Sequence, residues 1–238
     1  MSERLDKWLS DRSADSRKEI KTLIRGRQVR VNDAVVTDPG HHVVPGDTVS
    51  VRGVVVTADQ FVYIMLNKPQ GVVSVSSAPG DRTVIDLLPP QMRRPDLFPA
   101  GRLDRDTTGF VLITNDGEFA HRILSPKKHV DKVYRVSLRD PAQESYIQAF
   151  ADGLVLGDGT KCLSAVLIFS DDPRCVTVRL REGRYHQVKR MFASLGNQVV
   201  QLHRESIGTV LLDPALAPGE CRPLTKEEIQ KMLDSSDG

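Results

Sequence analysis

The sequence predicts an α+β protein in two units: a small αα-β unit over residues 1–58, and a larger one over 59–238 with a mixed, largely antiparallel sheet and flanking helices. Three observations predict it. Short, continuous, β-compatible apolar runs, such as 61–66 and 110–113, read as buried strands. Apolar residues spaced i, i+3, i+4, as in Leu5, Trp8, Leu9 and again in Val188, Met191, Phe192, Leu195, read as amphipathic helices. The two kinds of segment follow one another in mixed order, which points to α+β.

In the first unit, Leu5, Trp8 and Leu9 give the first helix one apolar face, which puts Trp8 in core packing rather than on a nucleobase. Ser16-Arg17-Lys18-Glu19 has capping-box spacing and starts a second helix. Its apolar stripe is Ile20, Leu23 and Ile24, which leaves Arg17, Lys18, Lys21 and Arg25 mainly on other faces, and Gly26 closes it. Val29 and Val31, a turn at Asn32-Asp33, Val35-Val36, a turn at Pro45-Gly46-Asp47 and the run 48–51 make a hairpin-like end. Residues 53–60 are the join, with the boundary near 58.

In the larger unit the strand at 61–66 turns at Asn67-Lys68-Pro69-Gln70-Gly71 and continues over 72–75. A short helix is expected over 81–88, before Pro89-Pro90. Further strands are expected at 110–113, 134–138, 165–169 and 176–180. Further helices are expected at 118–124, 143–150 and from Gln187 to the Gly196-Asn197 stop.

The stretch Gly101-Arg102-Leu103-Asp104-Arg105-Asp106-Thr107-Thr108-Gly109 runs directly into the apolar segment 110–113. A core strand would hold the side chains of such a loop still, as a catalytic group requires. A guanidinium beside a carboxylate favours the ionised form. At roughly 4 Å and an effective dielectric of about 20, one such pair is worth about 4 kcal/mol before desolvation. Asp104, between Arg102 and Arg105, is therefore expected as an anion near neutral pH, suited to act as a nucleophile. From the loop alone, a structural turn capped by Asp106 or Thr107, with its arginines on the surface, stands level with that reading.

Charge and composition narrow the classes. The net charge of +2 argues only weakly for RNA, but the cations cluster: six basic residues and one acid over 17–30, five and one over 122–135, six and one over 174–190. No run of 18 apolar residues is present, so no membrane association is expected. Residues 1–6 are charged and lack a signal-peptide apolar region, and the three cysteines form no Cys-x-x-Cys pair. Both features suit the cytoplasm. The six histidines show no metal spacing, so no metal site is expected.

The order of residues in the 101–109 loop resembles the signature loop of the pseudouridine synthases, in which the Asp of Gly-Arg-Leu-Asp is essential. The resemblance extends to 61–71, Asp116-Gly117, His121-Arg122, Ser125-Pro126, Lys132-Val133-Tyr134 and the segment from Gly183 to Phe192, all in order. It looks like the small-subunit ribosomal RNA (RsuA) branch, a likeness carried most by residues 125–134. The first 52 residues resemble the RNA-binding domain first described in ribosomal protein S-four.

This resemblance implies the same fold and an isomerisation of uridine to pseudouridine in 16S rRNA. Asp104 would attack the sugar or the uracil ring, or draw off a sugar proton. Arg102 would place the flipped nucleotide or fill the gap it leaves. Tyr134 would stack on the target uracil. Lys189 would pair with Asp104 where related branches often carry Arg, keeping the charge without bidentate geometry. Arg184, His186, Arg190 and Arg204, and Arg17, Lys18, Lys21 and Arg25 in the first unit, are implied phosphate contacts. The reaction transfers no electrons, so no cofactor is expected. The expected partner is 16S rRNA or a small-subunit assembly intermediate, and the expected state is a monomer. Three alternatives remain beside it: a 23S rRNA synthase, a non-catalytic RNA-binding assembly factor, and a glycoside hydrolase. The last would use Asp104 and Asp106 as carboxyl groups roughly 5–9.5 Å apart.

Overall fold

A computed structural model describes residues 2–13, 15–56, 61–125 and 130–235 of the chain. The chain divides into two compact units, Met1–Val62 with Leu88–Leu97, and Tyr63–Leu87 with Phe98–Gly238. The expected boundary near residue 58 lies outside the described residues, as does part of the 125–134 segment.

The first unit contains β1 (Glu3–Arg4), α1 (Leu5–Ser10), α2 (Arg17–Arg25), β2 (Val29–Val31), β3 (Ala34–Val35), β4 (His42–Val43), β5 (Val49–Val51) and β6 (Val54–Val56). The Ser16 hydroxyl accepts from the Glu19 N–H at 3.3 Å, and the Glu19 carboxylate accepts from the Ser16 N–H at 2.8 Å, so both halves of the capping box form. Leu5, Trp8, Leu9, Ile20, Leu23 and Ile24 make the core with Val29, Val31, Val43 and Val49. Trp8 is a core residue, as expected, with the Arg12 guanidinium 4.6 Å from its ring centre. Gly26 caps α2 with an ordinary φ of −76°, and the left-handed residue is Arg27. The join differs from expectation. Arg52 and Gly53, both at positive φ, turn β5 back into β6, so Val54–Val56 is the edge of a sheet ordered β3-β2-β5-β6. The segment Leu88–Leu97 is tied to this unit by Arg94, whose Nη2 donates to the Asp11 carbonyl at 2.6 Å.

The second unit contains β7 (Tyr63–Lys68), β8 (Phe98–Ala100), β9 (Thr108–Thr114), α3 (Gly117–Leu124), β10 (Lys132–Leu138), α4 (Ser145–Asp152), β11 (Val166–Phe169), β12 (Cys175–Leu180), α5 (Gln187–Ser194), β13 (Val199–Ile207), β14 (Val210–Leu211), β15 (Cys221–Pro223) and α6 (Lys226–Asp234). Its sheet runs β11-β12-β10-β13-β9-β7-β15, with β8 on β9 and β14 on β13. Among the described strands only β9 and β13 run parallel, so the sheet is mixed and largely antiparallel, as expected. Two local expectations fail. Residues 72–75 form no strand and contribute a single bridge, Val73 to Thr83. Residues 81–88 form turns rather than a helix. There Asp86 accepts from the Thr83 N–H at 2.8 Å while the Thr83 hydroxyl accepts from the Asp86 N–H at 3.3 Å, and this local closure, followed by Pro89-Pro90, leaves no room for a second helical turn.

The parallel joint between β9 and β13 sets the position of the 101–109 loop. Gly109 faces Arg204 with φ +99°, and a Cβ there would lie 2.3 Å from the Arg204 carbonyl oxygen. Only glycine permits this approach. Behind it Phe110 and Leu112 pack with Met65, Phe119, Ile123 and Ile207.

Candidate active site

The loop from Gly101 to Thr107 is held from behind by two side chains. Lys68 at the end of β7 is fully buried, and its Nζ donates to the carbonyls of Thr107 (2.8 Å), Pro69 (3.1 Å) and Arg105 (3.3 Å). Burial pushes its pKa down to about 8, with Asp106 and Asp104 offsetting part of the loss. Ser74 donates to the Leu103 carbonyl at 3.0 Å and accepts from the Leu103 N–H at 3.1 Å. The Thr107 N–H donates to the Asp104 carbonyl at 3.1 Å, which closes the turn. Sequence reasoning gave Lys68 and Ser74 no role. The available signal was a lysine directly after an apolar run, two residues beyond Leu66.

The other wall comes from the start of α5. His186 is its N-cap, in the left-handed conformation with φ 48°, and Lys189 lies three residues further on, hence on the same face. Lys189 Nζ is 3.1 Å from Asp104 Oδ2, and His186 Nε2 is 3.4 Å from Asp104 Oδ1. Lys189 also donates to Asp106 Oδ1 at 2.5 Å. Burial opposes the Lys189 charge, but the hydrogen bonds to Asp106 and Asp104 outweigh it and its pKa is raised. The hydrogen bond from Lys189 likewise holds the Asp106 carboxyl below its ordinary range. Both carboxylates thus sit on one ammonium rather than on opposite sides of a substrate bond, as a glycoside hydrolase needs.

Among the described residues, the ion-pair partners of Asp104 therefore come from the start of α5, Lys189 and His186, and not from its sequence neighbours. Arg105 turns away to an ion pair with Asp81. Arg102 is exposed and lines the pocket. That pocket, about 60 Å³, is walled by Arg102, Leu103, Asp104, Tyr134, Leu180, His186, Val188 and Leu202. The Asp104 side chain is 24% exposed, so it reaches the pocket while keeping its partners. Thr107 also lines the pocket, with its hydroxyl buried and without a hydrogen-bond partner among the described residues. A larger hollow of about 580 Å³, bordered by Asp131, Arg179, Arg181 and Glu205, shares no residue with this pocket.

The remaining expected residues divide. Tyr134 is buried on β10 and lines the pocket. Arg184 and Arg190 are partly exposed and are paired with Glu182 (2.9 Å) and Asp158 (2.5 Å). Arg204 was expected at a phosphate, but it is only 3% exposed and its Nε donates to the Phe110 carbonyl at 2.7 Å. It points inward because residues 199–207 form a central strand whose inner face carries Leu202, Arg204 and Ser206. Arg17, Lys18, Lys21 and Arg25 are exposed on α2, opposite its buried stripe. Among the described residues no group of three His, Cys, Asp or Glu side chains is placed to hold a metal.

Comparison with known proteins identifies the family. The family described as RNA pseudouridylate synthase matches residues 62–194, and the S4 domain family matches residues 3–49. The chain is 46% identical over 231 residues to the uncharacterized RNA pseudouridine synthase YtzG of Bacillus subtilis (strain 168), covering 95% of this chain and 96% of that one. It is 42% identical over 231 residues to ribosomal small subunit pseudouridine synthase A of Escherichia coli (strain K12), covering 97% of this chain and all of that one. A crystal structure of a pseudouridylate synthase superposes with a TM-score of 0.68 at 43% identity, over 96% of this chain and 99% of the other. The chain belongs to the RNA pseudouridylate synthase family and carries an S4 domain at its N-terminal end.

Proposed function

We propose that this protein isomerises a uridine of 16S ribosomal RNA to pseudouridine, with Asp104 as the essential carboxylate. The observation that carries the proposal is the Asp104 side chain itself, held between Lys189 and His186 at the wall of a pocket lined by Tyr134. Breaking the C1′–N1 bond and forming the C1′–C5 bond moves protons from C5 and to N1 but transfers no electrons. Whether the carboxylate attacks the sugar, attacks the base or takes a sugar proton, it acts as the anion, and the Lys189 ammonium stands 3.1 Å from it. Lys189 and His186 fix the Asp104 side chain in place, Tyr134 stacks on the uracil, and Arg102 at the pocket edge helps hold the nucleotide out of its stack.

The choice of 16S rRNA is supported by the relatives of this chain named as small-subunit synthases, which match it over nearly its whole length. Mapping pseudouridine in both rRNAs from a strain lacking the protein tests it. Loss of one site in 16S rRNA is expected, and intact 16S rRNA beside a missing 23S site would refute the assignment. Asp104→Asn is expected to bind 16S rRNA as the wild type does and to form no pseudouridine. Full activity of that variant would remove Asp104 from the chemistry.

A further inference from the structure

Tyr185 takes no part in the site described above, yet it is the most exposed large ring-bearing or aliphatic side chain among the described residues, at 74%. Its ring lies flat on His186, with centroids 3.9 Å apart and planes inclined by 16°. The same His186 touches Asp104 and lines the catalytic pocket. An aromatic pair therefore stands at the pocket edge with one ring in the site and the other turned to solvent.

The turn that presents this pair is held firmly. Buried Glu182 accepts from Arg184 Nε at 2.9 Å, from Gln187 Nε2 at 2.5 Å and from the Leu163 N–H at 2.8 Å. Gln187 in turn accepts from the Arg184 N–H at 2.9 Å, which bridges the two residues between them. Arg190 Nη1 donates to the Tyr185 carbonyl at 3.4 Å. His186 adopts its left-handed backbone within this frame, a conformation that costs a non-glycine residue and persists where the surroundings impose it. An exposed ring on so fixed a turn, beside the pocket, offers a strand of RNA a π-face on which a base can stack.

We propose that the outer face of Tyr185 is a stacking platform for the nucleobase adjacent to the target uridine. The inference rests on the pseudouridine synthase reading and extends it. A uridine that leaves its stack exposes the faces of its neighbours, and Tyr185 replaces the missing stacking partner for one of them. Tyr185 acts in RNA binding, without touching the reacting atoms.

The test uses the full chain and unmodified 16S rRNA transcript, with Tyr185→Ala, Tyr185→Phe and Tyr185→Trp. Tyr185→Ala is expected to raise KM about tenfold or more while kcat changes less than about twofold. Phe and Trp, which keep a π-face, are expected to stay near the wild type. Fluorescence of 2-aminopurine placed next to the mapped uridine is expected to be quenched by the wild type, the Phe variant and the Trp variant, and not by the Ala variant. Because the ring is exposed, the thermal midpoint of all four proteins should agree. A wild-type KM in the Ala variant, or a Phe variant as weak as Ala, overturns the platform. A wild-type protein that forms no pseudouridine in any rRNA overturns the underlying reading, and the platform with it.

Discussion

Lys189 carries Asp104 and Asp106 on one ammonium, so removing it leaves two carboxylates close together without a counter-charge. Lys189→Met is expected to lower kcat/KM by about a hundredfold, the scale of losing a preorganised charge in a site. The hydrogen bond from Lys189 keeps the Asp106 pKa low, so in Lys189→Met the Asp106 carboxyl should hold its proton to higher pH, read by NMR titration of that carboxyl. Lys189→Arg should restore most of the rate and the low Asp106 pKa. Lys68 makes a different prediction. Its folded pKa is about 8, below the ordinary 10.5, so the unfolded chain binds more protons between these values. The cost of its buried charge is complete below pH 8 and is relieved as pH rises toward about 10.5. Wild-type stability in urea should therefore gain on Lys68→Met across that window, and a constant difference would show that the amine is not desolvated as described. Asp104 and Lys189 were legible because both lie in motifs whose order is distinctive. Arg204 was misread because an inward-facing arginine on a strand looks the same in sequence as one on a surface.

At the scale of elements, the site is the meeting of a loop and a helix start that are 80 or more residues apart in the chain, Asp104 and Asp106 on one and Lys189 on the other. What brings them together is the sheet, and above all the joint at which β9 lies parallel to β13. Gly109→Ala would drive a Cβ into the Arg204 backbone at a residue whose φ is already left-handed. Overpacking and backbone strain together predict a loss of about 3 kcal/mol or more, read as a lower urea midpoint, with activity falling in parallel. A variant as stable as the wild type would show that the two strands part easily. Most strands could be read because they are apolar on one or both faces, as in β7, β9, β10 and β12. β13 could not, since its inner positions include Arg204 and Ser206, which break the alternation. The missing helix at 81–88 has the opposite cause: Thr83 and Asp86 have the spacing of a helix start, but their side chains close a turn that is not continued.

For the molecule as a whole, a large RNA has to bring one uridine to the pocket proposed for it, and the two units offer different means. The proposed pocket would take one nucleotide, while α2 offers Arg17, Lys18, Lys21 and Arg25 on an exposed face whose reverse is packed with Ile20, Leu23 and Ile24. Such cations bind phosphate without reading sequence. Every phosphate that is no longer neutralised should reduce the slope of log K against log salt by about 0.7–0.9. Replacing all four with Gln is expected to weaken binding of 16S rRNA at least about tenfold at low salt and to flatten that slope by roughly 3, in filter binding over a salt series. None of the four is buried, so the fold should survive, and kcat at saturating RNA should match the wild type because the Asp104 pocket is untouched. If the slope is unchanged, α2 does not meet the phosphates, and the affinity must come from the cations around the pocket. A fall in kcat with an unchanged slope would instead assign the first unit to placing the uridine rather than to holding the RNA.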